Sequence, residues 1–117
     1  MNMKKILIID DNKIYHDALG DLLKEDGYEV ISAFDGIEGY KKFESENPDL
    51  IVLDIIMTGE NGFFVLEKLK DKKIPIIVSS NYVGAWDLVK DFRVTDFILK
   101  ADTSSEVILK KINEILK

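Results

Sequence analysis

The chain has 117 residues and a formal net charge of −6; 46% of its residues are hydrophobic and 32% are charged. This length predicts one domain, residues 1–117, that buries roughly two-thirds of its unfolded surface. The acidic balance argues against direct nucleic-acid binding. The lack of cysteine excludes disulfides and suits a cytoplasmic protein. No apolar run reaches the roughly 18 residues of a membrane span.

Five short apolar runs predict β-strands. Those at residues 6–9 and 50–53 are unbroken and rich in β-branched side chains, which is typical of strands buried on both faces of a parallel sheet. The second run alternates more, which favours a position nearer the edge of the sheet. In chain order the predicted strands cover about residues 4–10, 28–34, 49–54, 76–80 and 96–99.

Helical patterns alternate with these strands, at about residues 13–26, 35–46, 62–71, 84–92 and 104–116. Either Asp11 or Asn12 can cap the first helix, and Gly27 suits the left-handed position after its end. Capping boxes are predicted at 35–38 and 103–106. Five successive βα units indicate a parallel sheet with right-handed crossovers.

The apolar spacing also predicts which side of each helix is buried. His16 falls on the first helix and is expected to be a surface or boundary residue. The predicted inward residues are Ile14, Tyr15, Ala18, Leu19, Leu22 and Leu23 on the first helix, Ile37, Tyr40 and Phe43 on the second, Val65, Leu66 and Leu69 on the third, and Ile108, Ile112 and Ile115 on the last.

Polar residues stand at four of the five predicted strand ends: Asp10 and Asp11, Asp54, Ser80 and Lys100. If the first and third strands are neighbours, three carboxylates converge and repel one another unless a cation lies among them. Mg²⁺, which prefers oxygen ligands, would relieve that repulsion. With one ammonium and one hydroxyl beside it, a carboxylate could accept a phosphoryl group. Each residue alone is most simply a cap or turn residue, but their joint occurrence favours a functional site.

These residues carry a resemblance over essentially the whole chain. The sequence resembles a receiver domain of the response regulators of two-component signalling. The motifs are Ile8-Ile9-Asp10-Asp11, Leu53-Asp54-Ile55-Ile56-Met57 with Gly62 at the usual distance, Pro75-Ile76-Ile77-Val78-Ser79-Ser80, and Phe97-Ile98-Leu99-Lys100.

The resemblance implies a flavodoxin-like α/β fold, a doubly wound (βα)5 arrangement with a five-stranded parallel sheet in the order 2-1-3-4-5. Asp54 would be the phosphoacceptor. Mg²⁺ would be held by Asp11, Asp54 and the backbone carbonyl of Ile56, with Asp10 assisting through water. The chain would be a signalling protein that catalyses only its own phosphorylation and dephosphorylation.

The resemblance also implies a switch and partners. Ser80 and Lys100 would hold the phosphoryl oxygens, and Phe97 would swing inward when Ser80 moves. The phosphoryl group would come from a histidine kinase or a histidine phosphotransfer protein. A downstream effector would bind the face made by the fourth helix, the fifth strand and the fifth helix, and neither nucleic acid nor membrane would be contacted directly.

Several residues depart from the family pattern, and they concentrate around the fourth helix. Because Ala101 follows Lys100 where the family commonly has a cis proline, and a cis bond before alanine costs roughly 3 kcal/mol, we expect a trans bond or a strained one. The other departures are Thr58 for a frequent proline, Asn81 for a small residue, and Arg93-Val94 for Gly-Ala.

Two other hypotheses remain open on the sequence. The altered fourth-helix region would suit a degenerate receiver that recognises its partner without phosphorylation. A small phosphohydrolase with Asp10 as nucleophile is disfavoured, because the haloacid-dehalogenase-type pattern needs Asp-x-Asp and here the two aspartates are adjacent.

Overall fold

The computed structural model describes residues 3–57 and 62–117. Its strands are β1 (Lys5–Ile9), β2 (Glu29–Ala33), β3 (Leu50–Asp54), β4 (Ile76–Ser80) and β5 (Asp96–Leu99). Its helices are α1 (Lys13–Glu25), α2 (Gly36–Glu46), α3 (Gly62–Lys68), α4 (Ala85–Val89) and α5 (Ser105–Leu116), with a 3-10 turn over Lys100–Asp102.

The strands form one parallel sheet in the order β2-β1-β3-β4-β5. The predicted flavodoxin-like fold and strand order are therefore confirmed, and β2 lies at an edge as its alternating pattern indicated. The strand order reverses between β1 and β3, which places the carboxyl ends of these strands side by side. In open α/β sheets this switch point is where ligands bind.

Apolar side chains cover both faces of the sheet, so the core has two halves. On one face α2, α3 and α4 pack over Leu7, Ile9, Leu53 and Val78. On the other face α1 and α5 pack over Ile6, Ile8, Leu50 and Val52. Every residue of β3 and β4 is buried. Such burial explains why the apolar runs are unbroken, since each large side chain removed from water contributes about 1.5–3 kcal/mol.

Helix α1 begins as predicted, and most of its predicted inward residues face the core: Leu19 and Leu23 are buried, and Tyr15 and Leu22 are half-buried. The buried face is nevertheless shifted. The N-cap of the helix is Asn12, and Gly27 follows the helix end with a φ of +94°. Ile14, predicted to be inward, is 78% exposed, and Ala18 is also exposed, whereas His16 and Gly20 are buried with Leu19 and Leu23. Gly20 faces β2, where an added Cβ would make ordinary van der Waals contact with the Val30 side chain at 3.6 Å. The buried stripe therefore includes residues that apolar spacing does not mark.

Helix α2 likewise begins as predicted, but one of its predicted inward residues is exposed and a glycine is buried. Asp35 caps the helix as predicted, accepting a hydrogen bond from the Glu38 amide at 2.8 Å. Glu38 Oε1 accepts a hydrogen bond from the Phe34 amide at 2.6 Å, so the reciprocal bond of the predicted capping box reaches the residue before the cap. Ile37, however, is 44% exposed, while Gly39 is buried where an added Cβ would be 2.5 Å from the Ile9 side chain. Tyr40 and Phe43 are half-buried against the core, as expected.

The remaining helices match their predicted positions but differ at their ends. Helices α3 and α4 are shorter than predicted, and the cap of α5 is Ser104 rather than Thr103. The predicted inward residues of α3 and α5 face the core, with Ile115 only partly buried.

None of the described peptide bonds is cis, so the Lys100–Ala101 bond is trans. The substitution at Thr58 lies outside the described residues, and no described helix is long and apolar enough to cross a membrane.

Candidate functional site

Two carboxylates are buried where β1 and β3 end. Asp10 is 1% exposed and Asp54 is 6% exposed. Asp10 follows β1, and its Oδ1 accepts a hydrogen bond from the Asn12 amide at 2.8 Å, at the start of α1. Asp54 is the last residue of β3, and its Oδ1 accepts one from the Ile56 amide at 3.2 Å. Backbone donors therefore hold one oxygen of each carboxylate in place.

Lys100 brings a cation to both carboxylates. Its Nζ lies 2.5 Å from Asp10 Oδ2 and 3.4 Å from Asp54 Oδ2, and its side chain is only 12% exposed. Burial opposes the charged form, but the contacts with Asp10 and Asp54 outweigh it and raise the pKa of Lys100 above its ordinary value. Lys100 is therefore charged at neutral pH, which offsets part of the cost of burying the two carboxylates.

The Asp54 carboxyl is poised to lose its proton slightly below neutral pH. Burial, with a smaller contribution from the charge of Asp10, raises its pKa from 3.8 to about 6 against the lowering effect of Lys100. At pH 7 most of the molecules carry the carboxylate form of Asp54. A carboxylate that is ionised yet poorly solvated by water is suited to act as a nucleophile.

The acidic residues can hold a metal ion. One oxygen from each of Asp10, Asp11 and Asp54 lies within 4.8 Å of the other two. Among the described buried side-chain atoms, Asp10 Oδ2 makes no hydrogen bond; its contact with Lys100 is an ion pair. Carboxylate oxygens gathered in this way fit a hard divalent cation such as Mg²⁺. The predicted contribution of the Ile56 carbonyl stays a prediction.

A cavity of about 400 Å³ opens beside Asp54. Ser80 is 1% exposed at its wall, and its Oγ accepts a hydrogen bond from the Tyr82 amide at 3.1 Å. A carboxylate, an ammonium and a hydroxyl therefore line one cavity, as the strand-end pattern predicted. The lining residues are Asp54, Ile56, Ser80, Asn81, Tyr82 and Lys100.

Phe97, predicted to act as a switch, does not line this cavity. Its half-buried ring packs against the edge of the Trp86 ring, with the centroids 5.9 Å apart. Phe97 and Trp86 lie together in a surface groove next to β5. The inward movement of Phe97 stays a prediction.

The expectation that His16 lies at the surface or boundary is wrong. His16 is 5% exposed; its Nε2 lies 2.6 Å from the carbonyl oxygen of Asp10, and its Nδ1 lies 3.1 Å from Ser32 Oγ. A carbonyl oxygen only accepts hydrogen bonds, so Nε2 carries a proton and donates it. His16 thus fixes the backbone at Asp10 to the edge of the sheet. The sequence did not predict the burial of His16, because apolar spacing identifies only hydrophobic residues on a buried helix face.

Tyr15 is the second residue whose contacts the sequence did not reveal. It was expected only to pack inward, but its ring lies 4.5 Å from Lys100 Nζ, and its hydroxyl is 3.2 Å from Ser79 Oγ. Tyr15 and His16 are consecutive on α1, and each contacts a different part of the strand-end site. A tyrosine on an apolar stripe gives no sequence signal for such a contact.

The fold and this geometry define a class: an open parallel α/β protein with a carboxylate–ammonium site at its topological switch point. The sequence model of the response regulator receiver domain matches residues 6–113. The chain belongs to the response regulator receiver family, whose members are signalling proteins.

Curated relatives support the same assignment. The chain is 43% identical over 108 residues to the alkaline phosphatase synthesis transcriptional regulatory protein PhoP of Bacillus subtilis, covering 89% of the chain and 45% of PhoP. It is 34% identical to the CAI-1 autoinducer sensor kinase/phosphatase CqsS of Vibrio cholerae, covering 93% of the chain and 17% of CqsS. The chain thus spans less than half the length of these relatives.

Solved structures agree with the fold. The response regulator TrrA of Thermotoga maritima, in complex with Mg²⁺-BeF, has a TM-score of 0.85 at 33% identity, covering 97% of this chain and all of TrrA. A receiver domain protein of Methanospirillum hungatei has a TM-score of 0.90 at 28% identity, covering 98% of this chain and 94% of its own.

Proposed function

We propose that Asp54 is phosphorylated by a histidine kinase or a histidine phosphotransfer protein and that Mg²⁺ is required. The observation that carries this proposal is the cavity in which the Asp54 carboxylate faces Lys100 and Ser80, beside the carboxylates of Asp10 and Asp11. The Mg²⁺-BeF complex of TrrA, a family member 33% identical to this chain, lends it support.

The transfer balances with one bond formed and one broken. An oxygen of the ionised Asp54 carboxylate attacks the phosphorus of a phosphohistidine and forms a P–O bond. The P–N bond breaks, its electron pair stays on the imidazole nitrogen, and that nitrogen takes a proton from solvent. Asp54 needs no general base, because its carboxylate is already ionised at neutral pH.

The chain's own residues stabilise the transferred group. Lys100 pairs with one phosphoryl oxygen and the Ser80 hydroxyl donates to another, in a buried site where such contacts are stronger than in water. Asp10, Asp11, Asp54 and the Ile56 carbonyl would hold Mg²⁺. When bound, Mg²⁺ would neutralise negative charge on the phosphoryl oxygens and position them for in-line transfer.

Phosphorylation would then shift a conformational equilibrium. Ser80 Oγ now accepts a hydrogen bond from the Tyr82 amide, and a phosphoryl oxygen would compete for the position of this hydroxyl. Movement of Ser80 would make room for the Phe97 ring. A ligand shifts an equilibrium only by contacts that differ between the two states, and Ser80 and Lys100 supply such contacts. The altered face of α4, β5 and α5 would bind a cytoplasmic effector protein.

The geometry favours Asp54 over Asp10 as the nucleophile. Asp54 lines the open cavity, whereas Asp10 does not line it and its Oδ2 is paired with Lys100 at 2.5 Å. A donor molecule would therefore meet Asp54 first. For the same reason we do not favour a phosphohydrolase that attacks its substrate with Asp10.

The test is phosphorylation by acetyl phosphate with Mg²⁺, followed by mass spectrometry of the intact protein. We expect one added phosphoryl group on the wild type and none on Asp54→Asn. Asp17→Asn is the matched control, because Asp17 is an exposed carboxylate paired with Lys13 on α1, and it should be labelled like the wild type.

Two results would overturn the proposal. Labelling that persists in Asp54→Asn would move the phosphoacceptor elsewhere. A wild type that stays unlabelled would favour a receiver that binds its partner without phosphorylation; in that case Asp54→Ala would leave partner binding intact.

A further inference from the structure

We propose that Tyr15 is a positioning residue of the phosphorylation site, whose ring holds the Lys100 ammonium between Asp10 and Asp54. This inference rests on the proposed function of Asp54 and assigns a role to a residue on α1, outside the strand ends. Tyr15 does not touch the transferred group; it acts through Lys100.

The contact between ring and ammonium is close and shielded from water. Lys100 Nζ lies 4.5 Å from the centroid of the Tyr15 ring, inside the roughly 6 Å over which a cation is attracted to an aromatic face. The Lys100 side chain is 12% exposed. Removing water from a cation–π pair strengthens it, so this contact is stronger than its counterpart on an open surface.

Tyr15 is itself fixed at both ends. Its amide donates to Asn12 Oδ1 at 3.2 Å, which places the residue in the first turn of α1. Its hydroxyl is 3.2 Å from Ser79 Oγ, and Ser79 is fully buried. Burial raises the pKa of the Tyr15 phenol, so the phenol stays neutral, and either hydroxyl can donate in its contact with Ser79.

Ser79 ties the tyrosine to the phosphoacceptor strand. In the pairing of β3 with β4, Ser79 lies opposite Asp54. Asp54 contacts Lys100, Lys100 contacts the Tyr15 ring, and the Tyr15 hydroxyl contacts Ser79. Because Ser79 is paired with Asp54, these contacts form a closed loop. Such a closed loop limits where the ammonium can go.

Lysine needs this support because its side chain is long and flexible. Its ammonium is closer to Asp10 Oδ2, at 2.5 Å, than to Asp54 Oδ2, at 3.4 Å. The ring of Tyr15 provides a third contact, beside the two carboxylates. With that contact in place, the ammonium stays within reach of an oxygen added at Asp54.

Two variants separate the ring from the hydroxyl. Tyr15→Phe keeps the ring and loses the contact with Ser79, whereas Tyr15→Leu keeps an apolar side chain and loses the ring. With acetyl phosphate and saturating Mg²⁺, we expect Tyr15→Leu to be phosphorylated about fivefold more slowly than the wild type, and Tyr15→Phe to stay within about twofold.

The double variant Tyr15→Leu with Lys100→Met tests whether Tyr15→Leu slows phosphorylation by misplacing Lys100 or by damaging the structure in general. If the ring acts through Lys100, Tyr15→Leu should have no further effect on the phosphorylation rate once Lys100 is methionine. An equal slowing in both backgrounds would overturn the proposal, because a merely structural role would not depend on Lys100.

A measurement on the unphosphorylated protein tests the contact between Tyr15 and Lys100 without depending on phosphoryl transfer to Asp54. By NMR, the Lys100 side-chain protons next to Nζ should be shifted upfield by the Tyr15 ring, with the shift kept in Tyr15→Phe and lost in Tyr15→Leu. An unshifted wild-type signal would overturn the positioning by Tyr15 even if Asp54 is phosphorylated. A shifted signal in a protein that resists phosphorylation would support this positioning and overturn only the proposed function of Asp54.

Discussion

The strand-end site and the region of α4 are built in opposite ways. At the strand ends, Asp10 and Asp54 are almost fully buried, and Lys100, whose side chain is 12% exposed, makes an ion pair with each of them. Helix α4 has only five residues, its N-cap makes no side-chain hydrogen bond, and Trp86 and Leu88 are 47% and 50% exposed. The first region is held by charge and burial, and the second is held mainly by its two buried residues, Ala85 and Val89.

This difference fits the roles that we propose for the two regions. A site that stabilises a transferred group works best when its charges are already in place. An element that switches must have two arrangements close in free energy, and short helices with few buried contacts open most easily. The departures from the family pattern at Asn81, Arg93 and Val94 lie in or next to the less constrained region.

The largest effect should come from removing the cation of the strand-end site. Lys100→Met should slow phosphorylation by acetyl phosphate about 100-fold or more, because the transferred oxygens lose their ammonium. Lys111→Met is the control, since Lys111 pairs with Asp96 at 2.8 Å, away from the cavity lining. A Lys100→Met rate within threefold of the wild type would mean that the buried ion pairs do not serve the chemistry.

Removing the His16 ring, which donates to the Asp10 carbonyl, should have the next largest effect, in this case on the free energy of unfolding. His16→Ala deletes a buried ring and leaves the Asp10 carbonyl without its donor, which should cost about 2–3 kcal/mol of unfolding free energy. Ile14→Ala, at a position that is 78% exposed, should cost less than about 0.5 kcal/mol. Urea denaturation checks both values, and the reverse ranking would restore the original sequence interpretation of α1.

The buried carboxylate should make stability depend on pH. Because the pKa of Asp54 is raised from 3.8 to about 6 in the folded state, the protonated form favours folding, and this contribution is lost as pH rises from about 4 through 6. Asp54→Asn cannot ionise, so in EDTA it should be about 3 kcal/mol more stable than the wild type at pH 8.

That advantage should shrink toward zero near pH 3, below both the ordinary pKa of 3.8 and the folded pKa of about 6, where Asp54 is mostly protonated in both the folded and the unfolded state. Urea titrations at the two pH values, with EDTA present throughout, measure it. A gain that is the same at both pH values would show that the burial of the Asp54 charge is not its cause.

The smallest effect should come from the α4 region. Trp86→Ala should lower the unfolding free energy by less than about 1 kcal/mol, whereas Leu19→Ala in the core should lower it by about 3 kcal/mol. The amides of α4 should also exchange with deuterium faster than those of α1. Equal protection of the two helices would remove the contrast between the regions.

Much of the fold could be predicted from the sequence because the strands coincide with short apolar runs, unbroken at 6–9 and 50–53, and because α1, α2 and α5 have capping residues at their starts. The gathering of Asp10, Asp11, Asp54, Ser80 and Lys100 followed from their positions at strand ends. The buried faces of α1 and α2 were predicted less well, because the buried residues His16, Gly20 and Gly39 carry no hydrophobic signal. At Gly39 the packing of the helix on the sheet is close, since an added Cβ would lie 2.5 Å from the Ile9 side chain. The contacts of Tyr15 and His16 depend on that packing, so sequence spacing alone did not reveal them.

The phosphoacceptor is tested most directly by mapping the phosphorylated residue after treatment with acetyl phosphate in Mg²⁺ and, in parallel, in EDTA. We expect a single acyl phosphate at Asp54, formed with Mg²⁺ and absent with EDTA. A phosphoryl group found on Asp10, or one that forms equally well in EDTA, would contradict the proposed Mg²⁺-dependent phosphorylation of Asp54.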